Sequence, residues 1–428
     1  MHLLLVADGR SPTTRRWVKT VLALGCRVTL VTTFPCKPIE GIEADVTLPV
    51  AFSSLAGSGE SSGVEDMAKN GGTIGSRRSM ARRAVSAFRP LFLTGRYQLG
   101  PLTLKYYGPR LRWLVEKIKP DLVHALRIPY EGMLASYTPP GIPLVVSTWG
   151  NDLTLHAAGS SSMAALTRKT LVRADGLMAD TQRDVRLARS LGLADEKPTL
   201  VTPGNGGVDL DEIHAIRQRV LEHGSRFDSL VPPGAALVVN PRGFRTGSVR
   251  QDTFFQAIPL VYERRLGGKQ STTSGRTAPA FACAAMAGQR GALRWVERLK
   301  LQDKVNLLPL MPQADLWELL SRATLTLSIS QHDGTPNSLL EAMALGVFPI
   351  AGDIESIREW ITPGVNGLLV EPGSPQQLAE AILLALSQPD LRRRAADCNA
   401  RIIAERAASG VVSQQIDAYY RKITGQLD

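Results

Sequence analysis

Short runs of aliphatic and β-branched residues recur along the chain, separated by longer stretches of helical period. LLLVA at 3–7, VTLVTT at 28–33, DLVHAL at 121–126, PLVVST at 143–148 and GLMAD at 176–180 form the first series. Strands covered on both faces lose the apolar–polar alternation of half-exposed ones, so these read as buried parallel strands in repeated βαβ units. A second series follows RFDSLVPPG, where Pro232, Pro233 and Gly234 mark a linker. It comprises AALVVN at 235–240, APAFACAAM at 278–286, DKVNLLP at 303–309, ATLTLSIS at 323–330, VFPIAG at 347–352 and GLLVEP at 367–372. Two doubly wound, Rossmann-like α/β domains are the expectation, one over 1–230 and one over 231–404, with amphipathic helices at the end. Ser53–Ser76 and 267–277 are polar, Gly- or Ser-rich and read as loops.

One stretch carries more chemistry than the rest: HDGTPNSLLEAMALG at 332–346. Pro336 is pre-set for a first helical turn, Asn337 or Ser338 can cap, and Gly346 can end the helix, with Leu339, Leu340, Met343 and Ala344 on its apolar face. The open helix end offers backbone N–H groups and positive dipole to a phosphate. Asp333 precedes that end and Glu341 lies about one turn inside it, so two carboxylates flank an anion site. The plain alternative is a capped amphipathic helix with two surface acids.

This stretch resembles the E-x7-E signature of the family 4 retaining glycosyltransferases, with Asp333 in place of the first Glu. The resemblance is best from residue 304 to about 387 and weak at the N-terminus. It implies a GT-B fold, two Rossmann-like domains facing an interdomain cleft, with the segment 405–428 crossing back to the first domain. It implies a metal-independent, hexosyltransferase-like enzyme whose only co-substrate is a nucleotide sugar, with no cofactor. The donor site would comprise Asp333 on the sugar, Glu341 on the ribose, and Gly334, Thr335, Pro336, Asn337 and Ser338 around the diphosphate. Arg242, in NPRGFRTGSVRQD, stands where the family places its phosphate-binding Arg. The family's following Lys is missing, and Arg250, or else Arg245, is its substitute.

Other motifs fit an acceptor site. STWGNDL at 147–153 resembles the family's H-G-x-D turn, with Trp149 in the His position: Trp149 stacks on a sugar or packs, Gly150 allows close approach, and Asp152 binds an acceptor hydroxyl or caps a helix. VHALRIPYEG at 123–132 brings His124, Arg127 and Glu131 to a strand end. Arg127 is the ligand candidate, since an acceptor carrying phosphate needs a cation, whereas a lone His is more often structural. Gly9, Arg10 and Ser11 follow the first strand, where the resemblance implies a loop bordering the donor phosphates and the acceptor; the loop lacks G-x-G-x-x-G, which gives NAD binding little support. Asp209 and Asp211 form a DxD, read as turn and helix cap rather than as a metal site.

Bulk properties narrow the picture further. At 428 residues and 44% hydrophobic the chain can build two cores, and its four cysteines are scattered without metal spacing. No apolar run approaches the roughly 18 residues that cross a bilayer, and MHLLLVADGR has no basic n-region, which leads to an expectation of a cytoplasmic protein. Almost all of the formal charge of +11 sits between Arg77 and Lys119, where eleven Lys or Arg meet only Glu116. Met80, Ala84 and Phe88 fall on one face of a basic amphipathic helix there. It docks peripherally on the anionic inner face of the cytoplasmic membrane or simply covers the domain; a nucleic-acid partner is the weakest reading. The expected partners are thus a nucleotide-sugar donor and a glycan or lipid-linked acceptor. A sugar-nucleotide epimerase or a non-catalytic homologue are the alternatives.

Overall fold

The computed structural model describes residues 1–56, 89–245, 247–266 and 277–426. The basic helix read around 80–88, most of the Ser53–Ser76 tract and nearly all of the 267–277 loop lie outside them. Ser53 itself is buried in a short 3-10 turn, Val50–Ala56, where its hydroxyl donates to Thr33 O. The chain divides into two compact units, Met1–Gly206 with Val412–Asp428, and Gly207–Val411.

In the first unit β1 (His2–Ala7), β2 (Arg27–Thr32), β3 (Ala44–Thr47), β4 (Leu122–Ala125), β5 (Leu144–Thr148), β6 (Gly176–Ala179) and β7 (Thr199–Val201) form one parallel sheet, ordered β3-β2-β1-β4-β5-β6-β7. Period-two alternation divides β1 between two cores: Leu4 and Val6 pack with Val123, Val146 and Leu177, while Leu3 and Leu5 pack with Trp17, Val28 and Met178. The second of these cores also takes Val412, Ile416, Tyr419 and Tyr420 from the C-terminal helix Ser409–Ile423. β3 and β7 carry no buried residue, being the sheet's edges, and neither has an apolar run in the sequence.

In the second unit β8 (Leu237–Asn240), β9 (Ala280–Cys283), β10 (Val305–Leu307), β11 (Leu325–Ser328), β12 (Phe348–Gly352) and β13 (Leu368–Val370) form a parallel sheet ordered β10-β9-β8-β11-β12-β13. The helix Leu210–His223 belongs here, because Ile213, Ile216 and Val220 bury themselves with Val239, Leu320 and Met343. The division therefore falls at Gly206/Gly207 and not at the expected 230/231. Pro232–Gly234 turns the chain within the second unit, between that helix and β8.

Candidate functional site

Both sheets reverse their order once, between β1 and β4 and between β8 and β11. Loops leaving the C-terminal ends of such strand pairs splay apart and leave room for a ligand. The sequence-derived candidates gather at these two points.

In the second unit, β8 ends at Asn240, whose Oδ1 accepts from Arg242 N at 3.1 Å and whose Nδ2 donates to Gln251 Oε1 at 2.7 Å. Gln251 Nε2 donates in turn to Arg242 O at 2.7 Å. This clamp fixes the loop and leaves Arg242 only 8% exposed. Its Nη1 donates to Ser330 Oγ at 2.9 Å and to Asp333 Oδ2. Burial alone would raise the Asp333 pKa; the charge and hydrogen bond of Arg242, helped by Ser330 and Arg245, outweigh it and hold the carboxyl below its usual range. The pKa of Arg245 is lowered, chiefly by the like charge of Arg242. Arg242 is bound to the acid and Arg245 feels the charge of both, so two guanidinium groups stand against one carboxylate and the cluster keeps a surplus positive charge. Arg250 is otherwise engaged: its Nε and Nη2 donate to Asp252 at 2.9 and 2.8 Å and its Nη1 to Gln331 Oε1 at 3.2 Å. Of the two candidates for a second cation, Arg245 is the one coupled to Arg242.

The helix Asn337–Ala344 starts where expected, but Pro336 takes the N-cap position and no side chain caps it. Asn337 and Ser338 lie inside the first turn, so neither plays the capping role read from the sequence. Gly346, at φ 74°, ends the helix in the left-handed region. Thr335 is buried, with Oγ1 accepting from Trp360 Nε1 at 2.9 Å, and Gly334 N donates to Asp333 Oδ1 at 3.1 Å. Glu341 is 3% exposed, and its Oε1 accepts from Gln313 Nε2 at 2.6 Å. Ser330, Gln313 and Trp360 had no signal in the sequence, since each has a partner remote in the chain: Arg242, Glu341 and Thr335.

In the first unit a cavity of about 260 Å³ lies beside the ends of β1 and β4. Arg10, Ser11, Arg127, Glu131 and Trp149 line it as candidates, joined by Asp8, Phe34, Tyr97 and His156. Arg10 donates to Asp8 through Nε and Nη2, at 3.0 and 2.9 Å, and lies 3.6 Å over the Phe34 ring. Ser11 stands at the N-cap of the helix Pro12–Ala23 without making a side-chain cap bond. Tyr97 Oη and His156 Nδ1 are 2.7 Å apart.

Asp152 differs from its expected roles. It is 1% exposed, and it accepts from Arg127 Nη2 at 2.5 Å and from Ile128 N and Trp149 N, both at 3.2 Å. It does not cap the helical turn that follows it; its oxygens are spent on the start of Ile128–Gly132 and on Arg127, whose Cζ lies 5.5 Å from the Trp149 ring centre. Burial works against the Arg127 charge, but Asp152 and Glu131 raise its pKa, so it stays a cation. Among the described residues its Nε is buried without a hydrogen-bond partner. Gly150 is tied within the loop, N donating to Asp180 Oδ2 at 3.3 Å and O accepting from Arg183 Nη2 at 2.8 Å. Gly9 is a packing position outside the cavity lining, as a Cβ there would stand 2.5 Å from Cys36 Sγ.

His124 is structural. Its nitrogens reach Tyr420 Oη at 2.6 Å and Ser147 Oγ at 2.8 Å, and burial pushes its pKa down to about 3. Asp209 accepts from Glu212 N at 3.1 Å and caps the helix Leu210–His223. Among the described residues no group of three or more His, Cys, Asp or Glu gathers as a metal site. None of their helices is long and apolar enough to cross a membrane.

These features match known proteins. Residues 8–204 match the family "Glycosyl transferase 4-like domain" and residues 285–401 match "Glycosyl transferases group 1". One match lies in each unit, and the two parallel-sheet units have the fold of GT-B glycosyltransferase structures. Sucrose-phosphate synthase from Thermosynechococcus elongatus shares that fold over all of both chains, at 15% identity and TM-score 0.68. HepE of Anabaena, in a complex with UDP-glucose, does so over 99% of this chain and 100% of its own, at 18% identity and TM-score 0.61. The amylovoran biosynthesis glycosyltransferase AmsK of Erwinia amylovora is 37% identical over 94 residues, 21% of this chain and 23% of its own. The curated relatives are matched over no more than 33% of their length.

Proposed function

We propose that the chain is a retaining glycosyltransferase that moves a sugar from a nucleoside-diphosphate sugar to a hydroxyl of a glycan, lipid-linked or small-molecule acceptor. The observation that carries this reading is the cluster at the ends of β8 and β11: Arg242 paired with Asp333, and Arg245 close enough to feel the charge of both, just ahead of a helix whose N-cap residue makes no side-chain cap bond. The bond from sugar to diphosphate breaks with negative charge gathering on the leaving group, and fixed cations and N–H dipoles lower that barrier. The diphosphate takes Arg242, Arg245 and the backbone of Gly334–Ser338. Glu341, oriented by Gln313, takes ribose hydroxyls, and Asp333 meets the sugar once the diphosphate competes for Arg242.

The acceptor sits against Arg127, Trp149, Arg10 and Ser11. Its hydroxyl attacks on the leaving-group side: the new C1–O bond forms as the old one breaks, and the proton passes to the departing phosphate oxygen. Configuration is retained, and no protein base or covalent nucleophile takes part. Metal independence is supported by Asp209, whose carboxylate caps a helix.

The test is incubation with UDP-, GDP- and ADP-sugars and lipid or glycan extracts, with the product anomer read by NMR; a UDP-sugar comes first because a protein of the same fold is known with UDP-glucose. An inverted product overturns retention, and near-normal turnover in Glu341→Ala overturns the donor site. A new sugar nucleotide formed from donor alone would establish an epimerase instead.

A further inference from the structure

We propose that the outer face of the helix Arg89–Ile118 docks on an anionic lipid bilayer. This inference is independent of the transferase reading. The helix is apolar on two sides. Its inner side, Gly100, Leu104, Gly108, Leu111 and Val115, is buried, and the glycines allow close approach: a Cβ on Gly108 would stand 2.4 Å from the Tyr137 ring. A helix covering a domain needs only that face.

The outer side carries a second stripe, Leu99, Leu102, Tyr106 and Trp113, which are 53%, 56%, 58% and 60% exposed. Their spacing of three, four and seven residues keeps them on one line along the helix. Exposed cations flank the stripe: Lys105, Arg110, Arg112, Lys117 and Lys119. Arg110 lies 4.0 Å from the Tyr106 ring centre and Lys117 5.1 Å from that of Trp113. The sole acid from residue 97 to 119, Glu116, is paired with Arg112 at 2.9 Å.

Charge selects the occupant. Five cations against one acid repel a second copy of the same face and attract a negatively charged surface. The stripe runs along the convex side of one helix rather than in a groove, and aromatic rings at headgroup depth beside Lys and Arg are the composition of a membrane-surface anchor. Each surface-proximal cation strengthens binding to an anionic leaflet about fivefold.

The experiment is flotation of the full chain with vesicles of phosphatidylglycerol and phosphatidylcholine in equal parts, and with phosphatidylcholine alone, in low and high salt. The chain should float with the anionic vesicles in low salt and not with the neutral ones. Binding should fall about tenfold or more in Leu102→Ser/Trp113→Ser and in Lys105→Gln/Arg110→Gln/Lys117→Gln, both melting as the parent does. Adding anionic vesicles should blue-shift the parent's fluorescence more than that of Trp113→Phe. Three results overturn the proposal. One is no flotation with anionic vesicles. Another is flotation unchanged in both variants, which would assign the binding to the basic residues upstream of 97. The third is a dimer in sedimentation that Leu102→Ser/Trp113→Ser abolishes, which would make a second copy the occupant.

Discussion

Arg242 Nη1 donates to Asp333 Oδ2, joining a cation and an acid that stand 91 positions apart in the chain. Ser330 Oγ donates to the same oxygen at 2.9 Å. The group proposed to meet the sugar thus holds in place the group proposed to meet the diphosphate. An anion arriving at Arg242 competes directly with Asp333, which links occupancy of the phosphate position to the freedom of the acid.

The first prediction concerns that pair. Removing one partner of a buried ion pair leaves the other charge uncompensated, at a cost of about 3 kcal/mol. Arg242→Ala and Asp333→Asn should each lower the urea stability of the second unit by that order, and the double variant should lose less than the sum of the two. Strict additivity would show that the two side chains do not interact.

The second concerns pH, where two aspartates act in opposite directions. Asp333 has a folded pKa below its unfolded value near 3.9, so its stabilisation is complete above that value and is lost as acidification passes through the folded pKa. Asp184 is raised to about 6, by burial foremost and against the pull of Arg183. The folded state binds its proton more tightly, so between about pH 4 and 6 stability falls as pH rises, by at most about 3 kcal/mol. Denaturation midpoints at a series of pH values should show a smaller decline from about pH 4 to 7 in Asp184→Asn, whereas Asp333→Asn should flatten the profile only at the acid end.

The third concerns the C-terminal helix. Tyr420 Oη accepts from Trp17 Nε1 at 3.2 Å and lies 2.6 Å from His124 Nδ1, all within the first unit. Tyr420→Phe leaves two buried polar groups without this partner and should cost about 1–3 kcal/mol, read as a lower melting temperature of the first unit with that of the second unchanged.

The fourth concerns the acceptor. Arg127→Lys keeps a charge but loses the fork held by Asp152. It should raise the acceptor KM about tenfold, on the order of 1.4 kcal/mol, and leave the donor KM as it is. A change confined to the donor KM would place Arg127 in the other substrate's site.

Much of the fold was legible because buried parallel strands advertise themselves. GLMAD, PLVVST and VFPIAG each land on a strand to within a residue or so at the ends. β3 and β7 were not seen, since edge strands with one flank uncovered need no apolar run. The unit boundary was misplaced because Pro232 and Pro233 announce a turn whether or not it separates domains. At the sites, residue types were readable but partners were not. Asp152 with Arg127, Gln313 with Glu341 and Arg242 with Asp333 lie 25, 28 and 91 positions apart, and only the folded sheets bring them together. The cap of the Asn337–Ala344 helix turned on a single position: Pro336 fits the first turn and the cap equally well by its φ, and its ψ of 117° settled the matter.

The central claim is that Arg242 and Glu341 hold the two ends of a nucleoside diphosphate. Titration calorimetry of the full chain with UDP, GDP and ADP tests it most directly, alongside Arg242→Ala and Glu341→Ala. At least one of the three should bind the parent, and each variant should bind it at least tenfold more weakly, a difference of about 1.4 kcal/mol. Binding of equal strength in the parent and both variants, or no binding of any of the three, would contradict it.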